Sequence, residues 1–112
     1  MKEENTMNFD QVIQSLRNNS NIPTIRGRNY TFIEHAPTII NGILFEQSIH
    51  YRISDINSKR ITFNLIQSVY EHHQLNNEFP SRVQVNVSFS RELASRPCNY
   101  SVALSIVRRF VK

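Results

Sequence analysis

The sequence predicts one small α+β domain. Three observations carry that expectation. Apolar residues recur at helical spacing near both ends, the middle is rich in β-branched and aromatic residues around an Asn-Gly pair, and no repeat, low-complexity run or interdomain linker divides the 112 residues. A chain of this length buries roughly two thirds of its unfolded surface, and 39% apolar with 20% charged residues is an ordinary composition for a packed core.

Residues 1–7 read as a disordered leader, with Met7 a second candidate start, and residues 8–112 as the domain. In "NFDQVIQSLRNN", Phe9, Val12, Ile13 and Leu16 fall on one helical face. Asn8 is the N-cap and Asp10 an acid in the first turn, where the helix dipole favours it. From Thr24 the pattern becomes strand-like, with strands expected at about 25–35 and 43–54. Asn41-Gly42 inside "IINGIL" is a strong hairpin signal, so 38–40 can pair across that turn, with Pro37 at an edge or bulge. "SDINSKR" then closes the sheet.

A helix follows over 62–75, capped by Thr62, with Leu65, Ile66, Val69 and Tyr70 on one face. "RVQVNVSF" alternates, Val83, Val85, Val87 and Phe89 against Gln84, Asn86 and Ser88, which predicts a strand. "SRELASR" predicts a two-turn helix stopped at Pro97. Asn99 caps a last helix over 100–111, with Val102, Ala103, Ile106, Val107 and Phe110 as its buried stripe. The expected order is an N-terminal helix, a β-hairpin or small antiparallel sheet, then helix-strand-helix-helix.

Several function classes fall away. Two glycines, Gly27 and Gly42, argue against a Gly-rich phosphate loop. No run approaches the ~20 apolar residues that span a bilayer, and the polar, acidic N-terminus does not read as a signal peptide, so a cytoplasmic protein without a membrane partner is expected. The single cysteine, Cys98, excludes an internal disulfide and a Cys-based zinc cage within one chain. Its thiol has Arg96 nearby but no histidine close in sequence, and reads as a small hydrophobe. His72 and His73 are adjacent rather than four apart, the spacing that ligates a metal from one helix face. No catalytic residue, metal or cofactor is assigned.

The charge is uneven. Net charge is +4, yet residues 1–81 balance seven Lys/Arg against eight Asp/Glu. Residues 82–112 hold Arg82, Arg91, Arg96, Arg108, Arg109 and Lys112 against Glu92 alone. A basic segment on short helices suggests a polyanion partner. The helix-strand-helix-helix order resembles the first half of a winged helix-turn-helix, which implies a last helix placed in the major groove of double-stranded DNA. Ser101, Ser105, Arg108 and Lys112 share one face of that helix, opposite the apolar stripe. On this reading hydroxyls approach bases, the cations meet phosphates or guanine, and Arg91, Arg96 and Arg109 add contacts. The turn "SRPCN" lacks glycine, Leu104 interrupts the polar face, and no wing hairpin follows Lys112.

The first expectation is therefore a small DNA-binding protein of regulation or replication. Its short, Gly-poor, Asn/Ile-rich chain suits a mobile element or phage. Such a protein can be a homodimer joined through Leu104 or the β-edges. A second reading makes the chain a protein-interaction module, subunit or inhibitor, whose basic helix docks on an acidic protein. A metal-dependent nuclease comes third, without the acid-x-Lys triplet that common nuclease sites use. Arg26, Arg28 and Arg52, beside Tyr30 and Phe32, form a secondary candidate surface for single strands, with Tyr30 and Phe32 in the core as the simpler alternative.

Overall fold

The computed structural model describes residues 7–23, 27, 29–53 and 58–111. Their order is α1 (Phe9–Asn18), β1 (Asn21–Pro23), β2 (Asn29–His35), β3 (Thr38–Ile40), β4 (Ile43–Glu46), β5 (Ser48–Arg52), β6 (Ser58–Thr62), α2 (Phe63–Asn76), α3 (Arg82–Ser95) and α4 (Asn99–Val107). This is a small α+β fold, as the sequence predicts.

The first helix forms as its spacing demands. The Asn8 side chain accepts from the Gln11 N–H, and Val12, Ile13 and Leu16 are buried. β1, β2, β5 and β6 make one antiparallel sheet in the order β1-β2-β5-β6. Ile33 is the extra residue of a bulge between the Phe32–Tyr51 and Glu34–His50 pairs. β3 and β4 stand apart as a two-stranded hairpin. Asn41 and Gly42 take φ of 53° and 77°, the left-handed pair that a two-residue type I′ turn requires, and Ile40 pairs with Ile43 across it. The strand expected over 43–54 is thus two strands divided at Gln47, and 58–60 continue the sheet rather than end it.

Thr62 caps α2, its hydroxyl accepting from the Leu65 N–H, and α2 stops at Asn77 in the left-handed region. The segment after it corrects the sequence reading. Residues 82–89 are the first half of a helix, not a strand. Pro80 precedes a reciprocal capping box in which Ser81 and Gln84 satisfy each other's backbone N–H groups. The expected short helix of "SRELASR" is the second half of α3, beyond a kink at Phe89 (φ −126°, ψ 33°). The C-terminal order is therefore three helices without an intervening strand. α4 starts one residue early and ends at Val107, with Arg108–Phe110 in a turn. Cys98 holds its N-cap position and Asn99 is inside the helix.

α2, α3 and α4 pack on one another, and α4 also lies against β1 and β6. The core collects Val12 and Leu16 of α1, Ile22, Tyr30, Ile49, Tyr51 and Ile61 of the sheet, Leu65, Ile66 and Val69 of α2, and Val102, Ile106 and Val107 of α4. Tyr30 and Phe32 are core residues, and Tyr30 meets Tyr51 edge-on at 5.3 Å between ring centres. No helix among the described residues is long and apolar enough to cross a membrane.

Candidate interaction surfaces

α4 is the natural place to look first, and it is almost entirely enclosed. Val102 to Val107 are all buried, Leu104 included, so the side chain that interrupts the polar face packs in the core. Ser105 is buried as well, and its hydroxyl donates to the Pro23 carbonyl of β1. Ser101 is half-buried and Lys112 lies outside the described residues. The face bearing Ser101, Ser105 and Arg108 is thus covered along its middle by the sheet's first strand.

The two adjacent arginines have different fates. Arg109 turns back to α1, where Nη1 donates to the carbonyl and hydroxyl of Ser15, each at 3.0 Å. Its Nη2 donates to the Asn19 carbonyl at 2.8 Å and to that of Asn21. The guanidinium thereby ties the C-terminal end of α1 and the start of β1 to the turn after α4. Burial lowers its pKa from the usual arginine value, though arginine remains charged at physiological pH. An open depression of about 620 Å³ beside it is lined by amides, serine and this committed arginine. Arg108 is exposed.

Arg91 is exposed on α3, Arg96 is half-buried in the α3–α4 turn, and Arg82 lies 5.6 Å over the Tyr100 ring. Among the described residues no carboxylate pairs with Arg82, Arg91 or Arg108. Arg52 is exposed at the end of β5, while Arg26 and Arg28 lie outside the described residues. The basic residues are therefore distributed over α3 and the end of α4 rather than gathered along one helix face.

A polar cluster fastens the helices to the sheet. Glu92 of α3 accepts from the Thr62 hydroxyl at 2.6 Å, the Thr62 N–H at 3.0 Å and the Asn99 amide at 2.7 Å. The same amide donates to the Arg60 carbonyl at 2.9 Å, and the Tyr51 hydroxyl donates to the Asn99 side-chain oxygen. Cys98 Sγ lies 3.2 Å from that hydroxyl. Burial above all, then the contact with Cys98, pushes the Tyr51 phenol far above its ordinary pKa of 10.0, so it stays a neutral donor. With every member engaged, the cluster reads as a fastening of the fold. Among the described residues no group of His, Cys, Asp and Glu is arranged to hold a metal ion.

The surface that stands out is apolar. Ile39, Ile40, Ile43, Leu44 and Phe45 of the β3–β4 hairpin are all exposed, Ile43 and Phe45 at 70% each. Ile39 pairs with Leu44 and Ile40 with Ile43, so alternation puts apolar side chains on both faces of the ribbon. Phe45 is the extra residue of a bulge between Thr38–Glu46 and Ile39–Leu44. A second, smaller patch joins Val83 and Val87, 76% and 80% exposed one turn apart on α3. Neither patch is among the contact residues expected from the sequence. The signal for the first was present in "TIINGILF", where apolar residues occupy both parities around the turn, so neither face is polar.

No protein-family model, no curated protein and no solved structure matches this chain.

Proposed function

We propose that this chain is a protein-interaction module that docks through its β3–β4 hairpin. One observation carries the reading: five large apolar side chains in water on a ribbon outside the four-stranded sheet. Clustered exposed apolar side chains mark contact sites, whereas singly scattered ones are ordinary surface. An isolated two-stranded hairpin is also marginal in water, so a partner that covers it stabilises both its strands and its side chains. This keeps the interaction-module reading of the sequence and moves its docking element from the basic helix to the hairpin.

Site-specific photo-crosslinking tests it. A photoreactive residue replacing Ile43 in living cells is expected to give a discrete adduct, and the same residue at Arg17, exposed on α1, none. Absence of any adduct from Ile43, or equal labelling from both positions, overturns the reading.

Nucleic-acid binding is the second reading, supported by exposed Arg91 and Arg108 without acidic partners among the described residues. It predicts duplex DNA affinity that falls steeply with salt and drops further in Arg91→Ala/Arg108→Ala. Fluorescence anisotropy over a salt series decides it, and absence of binding at low salt removes it. Arg108 is the informative residue, because Arg109 is committed to α1.

A further inference from the structure

We propose that the four-stranded sheet binds a phosphate group on the face turned away from the core, with Arg60 as its principal ligand and Arg52 and His50 beside it. The site is separate from the hairpin and from the arginines of α3 and α4.

Strand register places these residues. His50 of β5 pairs directly with Arg60 of β6, and Arg52 pairs with Ser58, two positions along. Directly paired residues share a face, and so do residues two apart on one strand. His50, Arg52 and Arg60 therefore stand together, their Cβ atoms about 5 Å apart for the direct pair and up to about 7–8 Å for the diagonal one. Ile49, Tyr51 and Ile61 alternate with them and are fully buried, which assigns the cations to the opposite face. Arg52 is exposed, and His50 and Arg60 are part-exposed, so a ligand can reach the group from solvent.

Arg60 is the residue that the fold leaves unanswered. Its Nε is sealed from water and has no hydrogen-bond partner. Neither Arg60 nor Arg52 forms an ion pair among the described residues. Buried donors are nearly always satisfied, and a donor on a charged group is the costliest to leave open. A second arginine diagonal to the first adds repulsion, since like charges on neighbouring strands are destabilising. An anion seated between the two reverses both effects. Glu34, which pairs across from His50, does not supply it: its side chain is 65% exposed, and its Oε2 lies 3.8 Å from His50 Nδ1.

The donor set favours a tetrahedral oxyanion. Each planar guanidinium offers paired N–H donors that match two oxygens of a phosphate, and the imidazole adds a ring N–H. A phosphate has oxygens enough to meet both arginines at once, whereas a planar carboxylate fills one fork. Free phosphate and the phosphodiesters of a polynucleotide present the same oxygens, and the test separates them.

NMR of the backbone amide and arginine Nε–H signals makes that test, with sodium chloride at matched ionic strength as the reference. Inorganic phosphate is expected to shift the Arg60 Nε–H signal and the His50 and Arg52 amides saturably, and about 20 mM nearly fills a millimolar site. Arg60→Gln should weaken binding at least about tenfold, the effect of losing one charge-assisted hydrogen bond. Arg52→Gln, at an exposed position, should weaken it roughly two- to fivefold, and this variant keeps the test open if Arg60→Gln does not fold. Arg91→Ala/Arg108→Ala should leave phosphate binding unchanged, which sets this site apart from the nucleic-acid reading of α3 and α4. The absence of a saturable shift, an equal shift with chloride, or affinity that survives the glutamine substitutions overturns the proposal. A single-stranded oligonucleotide then identifies the source. Tighter binding through the same signals assigns a polynucleotide, and phosphate binding without it assigns free phosphate.

Discussion

The four-stranded sheet and the β3–β4 hairpin use the same kinds of residue and meet opposite fates. Ile49 and Ile61 are fully enclosed, while Ile39 and Ile43 stand in water. Both regions pair their backbones, and both are rich in isoleucine. The difference is the second layer. α1 packs on β2 and α4 on β1 and β6, which closes one face of the sheet, whereas the hairpin's apolar residues have no such cover. Strand formation and burial are thus separate achievements, since pairing satisfies N–H and C=O groups but only a packed layer removes side chains from water.

The largest expected effect would break that comparison outright. Ile61→Ala should lower stability by about 2–5 kcal/mol, the range for emptying a buried aliphatic site. Ile43→Ala should change it by less than about 0.5 kcal/mol, as for exposed substitutions generally. Urea denaturation of both variants beside the wild type makes the measurement. Equal losses would show that the hairpin belongs to the core after all.

A smaller effect sharpens how the closed region is held shut. Arg109→Ala strips donors from Ser15, Asn19 and Asn21. The loss should be about 1.5–2 kcal/mol, towards the low end for charged hydrogen bonds because water reaches part of the guanidinium. Arg108→Ala, one residue away and exposed, should cost under about 0.5 kcal/mol. Thermal melts of the two variants compare them directly, and matching melting temperatures would mean that the α1 contact is idle.

The smallest effect is a pH signature that the closed region has and the hairpin lacks. The pKa of Tyr51 is raised in the folded protein, so the stabilisation is complete below the unfolded tyrosine value and is lost as pH rises past it. Above pH ~10 the unfolded phenol ionises while the folded one does not, which removes about 1.4 kcal/mol by pH ~11. Tyr51→Phe should flatten that alkaline slope while starting from lower neutral stability, having lost the bond to Asn99. Urea midpoints from neutral to alkaline pH show whether the slope persists; an unchanged slope would place the alkaline sensitivity elsewhere.

Much of the fold was legible wherever a local signal acts alone. Asn8 and Thr62 are the caps that their spacing announces, and Asn41-Gly42 makes the expected turn because both positions need positive φ. The 82–89 segment has the alternation of a strand in its valines and is nonetheless helical. The overriding signal was also local, the box formed by Ser81 and Gln84 after Pro80. The helix it starts buries Val85 but leaves Val83 and Val87 in water, a pattern opposite to the single apolar face of the expected strand.

The candidate surfaces were legible only in outline. The basic excess after residue 82 is visible in composition, but nothing local distinguishes Arg108 from Arg109. One meets solvent and the other reaches residues nearly a hundred positions earlier, a choice made by where α1 ends relative to α4. Ser105 likewise reads as a polar-face residue until β1 brings the Pro23 carbonyl to it. Caps, turns and the α+β class are determined by the sequence itself, because each depends on groups a few bonds apart. Which apolar face is covered, and which cation is left free, was decided by tertiary structure, because burial depends on layers that meet only after distant segments pack.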